Sequence, residues 1–153
     1  MKIVKILTVF LIFILIGGCK QNSMENQFNS ELAKKLDTDD YGMKKYTMPF
    51  LKRGSNRDLT EEEAKNLQRQ HLDNIHKMAE EGTLLLAGLF LDDGDVRGIY
   101  IFNIDSVEEA QTIAESDPAV KAGSLELEIW PWYGSTAVMQ INEIHQKIAK
   151  IKI

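Results

Sequence analysis

Cysteine is almost absent from this chain of 153 residues, which contains only Cys19 and therefore cannot form an intrachain disulfide. No CxxC or HExxH spacing accompanies the three histidines, His71, His76 and His145, so we expect no zinc site. Excess positive charge is also missing, because the formal net charge is −5 at pH 7. We therefore expect no nucleic-acid partner. No glycine-rich phosphate loop precedes a helix either. Together with the missing metal-ligand spacings, this predicts neither a metal nor a cofactor.

Long hydrophobic runs are scarce, and the run near the start, Ile6 to Ile16, is shorter than the roughly 20 apolar residues that span a bilayer. Two lysines precede this run and two glycines separate it from Cys19, so residues 1–18 have the layout of a cleaved signal peptide. Small residues before a cysteine resemble the lipobox of bacterial lipoproteins, in which the cysteine thiol receives a diacylglyceryl group. The alternatives are an ordinary cleaved signal or an anchor helix with an incidental cysteine.

A polar segment, residues 19–40, follows the predicted signal peptide and contains few large apolar side chains. We interpret it as a flexible tether, with a weak helical turn over 30–36, that holds a folded domain off the membrane. Acyl chains on Cys19 would contribute about 0.8 kcal/mol per buried CH₂, so several of them make anchoring stable. These expectations place the domain outside the cytoplasm, in the bacterial cell envelope.

The central part of the chain has the periodicity of one folded domain, in a sequence that is 44% apolar and 27% charged. Thr60 and Glu63 form a capping-box pattern that opens the first helix, and Ser106 with Glu109 repeats this pattern. Pro49 favours an edge position for the first strand or takes the late part of that strand out of the ladder. The predicted elements are strands over 41–52, 83–91, 99–104 and 125–132, the second of them central, helices over 60–81 and 106–115, and a short turn over 117–123.

The order of these elements, β-α-β-β-α-β, predicts an α+β domain with the ferredoxin-like fold. Both helices then lie on one side of the sheet, and the apolar strands make a solvated second side unfavourable. We expect a second copy of the chain to cover that side, giving a homodimer. Residues 136–153 predict a C-terminal helix that packs on the domain or on a partner, with the apolar stripe Val138, Ile141, Ile144, Ile148 and Ile151.

Several short motifs follow one another in a characteristic order through this domain. They are Arg69 with His71 in the first helix, Gly82 and Gly88 around LLLAG, SVEEA from Ser106, Asp117-Pro118, Ala122-Gly123 and the closing IWPW of residues 129–132. Their order and spacing resemble the YCII-related family over residues 41–133, essentially the whole predicted domain, 41–135. The resemblance implies a dimeric α+β barrel, in which two ferredoxin-like subunits pair their sheets face to face.

The same resemblance implies a chemistry. The family is similar to muconolactone-isomerase-type enzymes and is associated with a His–Asp pair in a small cleft, which by position is His71 and Asp117 here. A few members act on ring-cleavage intermediates of aromatic compounds, by proton abstraction with lactone isomerisation or halide loss. The implied activity is therefore that of a lyase or isomerase with these two catalytic residues.

His71 lies in the middle of an apolar stripe of the predicted first helix, a face that should turn toward the sheet. Desolvation of a histidine there favours the neutral base form. If a carboxylate orients it, such an imidazole accepts a proton near neutral pH. The alternative is a buried histidine satisfied by one hydrogen bond. The stripe consists of Ala64, Leu67, His71, Ile75 and Met78.

Asp117 also has two interpretations. An aspartate before Pro118 is a typical helix N-cap with proline at the first helical position, which accounts for the motif without any chemistry. In the functional interpretation the carboxylate also faces His71 across the cleft. The two roles are compatible, because one oxygen can cap the helix while the other meets an imidazole.

The remaining polar and aromatic candidates each have a functional and an ordinary interpretation. Arg69 could bind an anionic substrate or simply be solvated. Trp130 and Trp132 share one strand face and could line a ligand pocket or fill an interface. His76 lies one step from the apolar stripe, at the surface or at its edge, and we assign no role to His145.

Two functions are compatible with the sequence. The first is a membrane-anchored lyase or isomerase that moves a proton on a small organic acid or lactone, with His71 as base and Asp117 as its orienter. The second is a non-catalytic envelope lipoprotein that binds a small molecule or a protein, with His71 in a structural role. Haem binding through a histidine, as in other α+β barrel families, is a third hypothesis.

Overall fold

The computed structural model describes residues 28–151, so the predicted signal peptide, Cys19 and the first part of the tether lie outside the described residues. Four strands form one antiparallel sheet, in which the second, third, first and fourth strands of the chain lie side by side in that order, which confirms the α+β, ferredoxin-like prediction. The helices are α1 (Ser30–Lys35), α2 (Glu61–Glu80), α3 (Val107–Ala114), α4 (Pro118–Lys121) and α5 (Ile141–Ile148), the last preceded by a 3₁₀ segment (Thr136–Gln140). The strands are β1 (Met43–Arg53), β2 (Leu84–Leu89), β3 (Val96–Phe102) and β4 (Leu125–Ser135).

The two long helices on the sheet begin where the capping patterns indicated. The Thr60 side chain accepts a hydrogen bond from the Glu63 amide, and the Glu63 carboxylate accepts one from the Thr60 amide, so the first capping box is complete. Ser106 caps α3 by accepting from the Glu109 amide, but its hydroxyl donates to the carboxylate of Glu108. The second predicted box is therefore only half formed. Both helices keep negative charge in their first turn, where the helix dipole favours it.

The position predicted for the first strand is wrong, because β1 is central and pairs with both β3 and β4. Pro49 does not move it to an edge. The register against β3 is the same on both sides of the proline, with Thr47 opposite Phe102 and Phe50 opposite Ile99. Because proline lacks an N–H donor, the pairing with β3 is interrupted at Met48 and Pro49 and resumes at Phe50. The late part of the strand also stays in the ladder, paired with β4 as far as Arg53.

The central position predicted for the apolar second strand is also wrong, since β2 is an edge strand that pairs only with β3. Leu84 and Leu85 are buried, whereas Leu89 is exposed. Burial at this edge comes from above and below the sheet, where α2 lies on one side and the 3₁₀ segment with α5 on the other. The apolar run of β2 therefore reflects burial of both faces of this strand, which does not require a second neighbouring strand.

The main core lies between the sheet and α2 and α3. Its buried members include Tyr100 and Phe102, whose rings stack with centroids 5.6 Å apart, and one face of β4 packs against the core. The remaining buried residues are Leu51, Met78, Leu84, Ala110 and Ala114, with Leu125, Leu127 and Ile129 at the edge.

The second side of the sheet is partly covered by the chain itself. Val138 and Met139 of the 3₁₀ segment pack against a smaller cluster of Tyr46, Leu85 and Ile101, and the Asn142 side-chain amide donates to the Leu84 carbonyl at 2.8 Å. The C-terminal prediction is thus realised as two short helical segments packed beside β2. Farther across this side Trp130 remains 55% exposed. Ile144, Ile148 and Ile151, along α5 and beyond it, are exposed as well.

The segment before the domain contains one of the expected features. The weak helical turn takes the form of α1, which has no buried residue. Asp39, after this helix, accepts from the Tyr41 and Met43 amides and from the Tyr133 hydroxyl, so it is attached to the sheet. Among residues 28–151 we find no helix whose length and apolar composition would let it cross a membrane.

Candidate active site

His71 lies in the middle of α2 on the face that turns toward the sheet, and 13% of its side chain is exposed. Its Nδ1 atom is 2.9 Å from Oδ1 and 3.0 Å from Oδ2 of Asp117. An ionised carboxylate can only accept, so Nδ1 carries the hydrogen and donates it. The neutral ring then has its free lone pair on Nε2, the nitrogen suited to take a proton from a bound molecule.

Asp117 performs both roles that its sequence position allowed. As the N-cap of α4, its Oδ1 accepts from the Ala119 amide at 2.8 Å, and Pro118 occupies the first helical position. The same carboxylate meets the imidazole of His71, and its side chain is only 1% exposed. The helix cap therefore holds the carboxylate in the position from which it orients His71.

Asn74 is a third member of this cluster that the sequence analysis did not single out. It follows His71 by almost one turn of α2, and its side-chain amide donates to Oδ2 of Asp117 at 2.9 Å. Burial alone would raise the pKa of Asp117, but the hydrogen bonds from His71, Asn74 and the Ala119 amide, with the charge of a protonated His71, hold it below the ordinary value of 3.8. The carboxylate consequently stays ionised at neutral pH.

Tyr100 of β3 lies under the histidine. Its ring is stacked on that of His71 with a centroid separation of 6.5 Å and an interplanar angle of 24°. Its hydroxyl is buried and has no hydrogen-bond partner among the described residues. Burial raises the pKa of Tyr100 well above its ordinary value, and the nearby Asp117 carboxylate adds to the effect. The tyrosine is therefore a neutral group at any physiological pH.

A cavity of about 630 Å³ opens between α2 and the sheet, and both His71 and Tyr100 line it. Its walls are otherwise mainly apolar, and they come from α2, all four strands, the loop between β1 and α2, and the region of α4. A group that can accept a proton therefore faces a space large enough for a small organic molecule. The apolar wall residues include Leu51, Leu59, Leu67, Leu72, Ile75 and Leu125.

The structure brings only some of the predicted candidates to this cavity. Arg69 is exposed on α2 and does not line it, whereas Arg57 and Arg97, which were not proposed, do. His76 lines the cavity, at the edge of the predicted stripe. His145 is exposed on α5 and does not line the cavity.

The two tryptophans of β4 are also outside the cavity lining. Trp132 packs against Tyr46 with centroids 5.6 Å apart, on the second side of the sheet. Trp130 shares that side, and its indole N–H donates to the Glu128 carboxylate at 3.1 Å. Neither tryptophan therefore contributes to a pocket beside His71.

The described part of the chain contains no group of three or more histidine, cysteine, aspartate or glutamate side chains that could hold a metal ion. The chemistry that the geometry supports is proton transfer by an oriented imidazole. Asp117 fixes the tautomer and would stabilise the imidazolium that forms when Nε2 takes a proton.

The match to a family model agrees with the extent of the predicted domain. The family model described as the YCII-related domain matches residues 48–133. The uncharacterized protein YjpA of Bacillus subtilis is 37% identical over 62 residues, which are 40% of this chain and 71% of that protein. A 5-chloro-2-hydroxyhydroquinone dehydrochlorinase from Burkholderia phenoliruptrix, solved with 2,5-dihydroxybenzoquinone, is similar at 20% identity and a TM-score of 0.40, covering 56% of this chain and 92% of that one.

Proposed function

The chain belongs to the YCII-related domain family, and we propose that it is a lyase or isomerase that moves a proton on a small organic acid or lactone. His71 is the base, and Asp117 is the carboxylate that orients it. The observation that carries the proposal is the 2.9 Å contact between His71 Nδ1 and Asp117 Oδ1 at the wall of a 630 Å³ cavity.

The proposed step begins with a C–H bond next to a carbonyl or carboxyl group of the bound molecule. Nε2 of His71 takes the proton, and the electron pair of the broken bond moves toward the carbonyl oxygen. The imidazolium is stabilised by the ionised Asp117, which Asn74 and the Ala119 amide hold in place. Return of the proton to another carbon gives an isomer, and expulsion of a leaving group gives an elimination product.

This proposal is tested by hydrogen exchange, which needs no knowledge of the final product. A panel of small carboxylic acids and lactones is incubated with the purified chain in D₂O, and loss of C–H signals is followed by NMR. We expect at least one compound to incorporate deuterium next to its carbonyl group. If no compound exchanges but some bind, the chain is instead the non-catalytic binding protein of the second hypothesis.

We also propose that the chain is anchored to a membrane by a lipid on Cys19, with the domain in the bacterial cell envelope. The support is the sequence around this cysteine, which lies outside the described residues. A homodimer is proposed for the same domain, because the second side of the sheet carries an exposed indole at Trp130.

A further inference from the structure

The cavity beside His71 is lined by cationic and neutral side chains. Its fully charged members are Arg57 and Arg97, its titratable members are His71, His76 and Tyr100, and no carboxylate occurs in the lining within residues 28–151. Arg57 is exposed and Arg97 is half-buried, so both lie where the cavity meets solvent, and a cavity lined by charge of one sign attracts the opposite sign. The cavity therefore favours an anionic guest.

Arg57 is fixed in place by neutral groups. Its Nε and Nη2 atoms donate to the Gly54 carbonyl at 3.0 and 2.7 Å, and Nη2 also donates to the Ser124 carbonyl at 2.7 Å. Nη1 has no hydrogen-bond partner in the described part of the chain. The guanidinium is thus oriented without having its charge compensated by a carboxylate, and two N–H donors stay available.

The loop that carries Arg57 is joined to the helix that carries Asp117. The Gly54 amide donates to the Ser124 carbonyl, and the Ser124 amide donates to the Ala119 carbonyl, each at 3.0 Å. The Ala119 amide in turn donates to Asp117. A Cβ atom at Gly54 would lie 2.2 Å from the Gly123 carbonyl oxygen, so the two loops approach as closely as glycine permits. The guanidinium and the His–Asp pair are therefore built on one rigid unit.

Arg97 is the other candidate for an anion, and its setting is less favourable. Its Nη1 atom donates to the carbonyls of Asp92 and Gly94, in the exposed turn between β2 and β3. This turn also contains Asp93 and Asp95, so three carboxylates lie close to Arg97 in the sequence, and only Asp95 among them is paired with a lysine, Lys52, in the described part of the chain. Their negative charge opposes the approach of an anion.

From these contacts we infer that Arg57 is the anion-binding residue of the cavity, and that the molecule bound there is a monocarboxylate with an aliphatic or aromatic body. The carboxylate would be held by Nη1 of Arg57, while the apolar body occupies the leucine-rich wall. This inference deepens the proposed function and rests on it only for the statement that a C–H group of the same molecule meets Nε2 of His71.

The test uses phenylacetate and its neutral isostere phenylacetamide as probes, titrated into the full purified chain and followed by NMR or calorimetry. A charge-assisted hydrogen bond to a fixed guanidinium predicts that the acid binds about tenfold more tightly than the amide. Arg57→Gln should remove this preference without weakening the amide. Arg69→Gln, an equal change at an exposed arginine outside the cavity, should keep it.

Equal affinity for the two probes, no binding of either at millimolar concentration, or an unchanged preference in a folded Arg57→Gln protein would overturn the inference. Melting curves establish that the variant is folded. Because the lost bonds to Gly54 and Ser124 could unfold it, Arg57→Lys provides a second variant. A lysine lacks the planar fork that lets Nε and Nη2 bond the two carbonyls while Nη1 stays available, so the preference should fall severalfold, and an undiminished preference contradicts the inference.

The His71→Gln variant separates this inference from the proposed function. If it keeps the preference for phenylacetate while every variant and the parent chain lack deuterium exchange, the anion site is real and the proton-transfer proposal is wrong. If exchange occurs and requires His71 but the acid preference does not require Arg57, the proposed function stands and the anion site is wrong.

Discussion

The Nδ1 atom of His71 lies 2.9 Å from Oδ1 of Asp117, a residue 46 positions further along the chain, and the same oxygen caps a second helix through the Ala119 amide. A single carboxylate thus joins α2 to α4 and fixes which nitrogen of the imidazole faces the cavity. Several measurable properties depend on this arrangement.

The tautomer of His71 should depend on Asp117. With the carboxylate present, the neutral ring carries its hydrogen on Nδ1, because the carboxylate can only accept. An amide in its place can also donate, so Asp117→Asn should raise the share of the Nε2–H form. Ring ¹⁵N chemical shifts of labelled protein measure both forms. An unchanged tautomer ratio in a folded variant would show that Asp117 does not orient the ring.

The ionised carboxylate should contribute stability that is lost in acid. The pKa of Asp117 is lowered in the folded protein, so near and below pH 3.8 the unfolded chain binds more protons than the folded one. Its contribution is complete well above pH 3.8 and is lost as the pH falls through the lower folded value. Urea unfolding at several pH values should give a shallower acid dependence for Asp117→Asn. The charge-matched control is Asp73→Asn, at an exposed position of α2.

The hydroxyl of Tyr100 should contribute little at neutral pH. It is buried without a partner in the described structure, so Tyr100→Phe should change the free energy of unfolding by less than about 1 kcal/mol, in either direction. Burial raises the pKa of this phenol, so above pH 10.0 the phenol ionises in the unfolded chain before it does in the folded one, and the free energy of unfolding falls as the pH rises. The free energy of unfolding of Tyr100→Phe should therefore fall less between about pH 10 and 11 than that of the parent chain.

Tyr46 offers the matched comparison for that change. Its hydroxyl is also buried without a partner, and burial also raises its pKa, but it lies on the second side of the sheet away from the cavity. Tyr46→Phe should resemble Tyr100→Phe in stability. A loss of about 2 kcal/mol or more in Tyr100→Phe alone would indicate that its hydroxyl bonds a group inside the cavity.

Lipid attachment at Cys19 is checked in cells that express the full chain. Labelled palmitate should enter the protein, and the protein should sediment with membranes. Cys19→Ser should abolish the label and leave the protein uncleaved or released from membranes. Retained label in this variant would contradict the lipobox interpretation.

Much of the fold could be predicted because the local signals agree with one another. The capping box at Thr60, the apolar alternation of Leu125 and Leu127, and the order of elements all indicate the same α+β arrangement. Strand order within the sheet was less accessible, because it depends on long-range pairing. Pro49 suggested an edge strand, yet the sheet accommodates it at the centre with a short interruption of the pairing with β3.

The His71–Asp117 pair was accessible only through the family resemblance, since 46 residues separate its members. Two other site residues could have been judged from helical geometry. Asn74, three positions after His71, shares its face, whereas Arg69, two positions before, is turned away by about 200°. Arg57 could not be predicted, because bonds between its loop and the distant residue Ser124 place it in the wall.

The most direct test of the account is the initial rate of deuterium incorporation into an exchanging acid or lactone, compared between the parent chain and His71→Gln. His145→Gln, at an exposed position of α5, is the control for loss of a histidine. We predict that exchange falls by about 10²-fold or more in His71→Gln and is unchanged in the control. Equal exchange rates in the parent chain and a folded His71→Gln protein would contradict the role of His71 as the base.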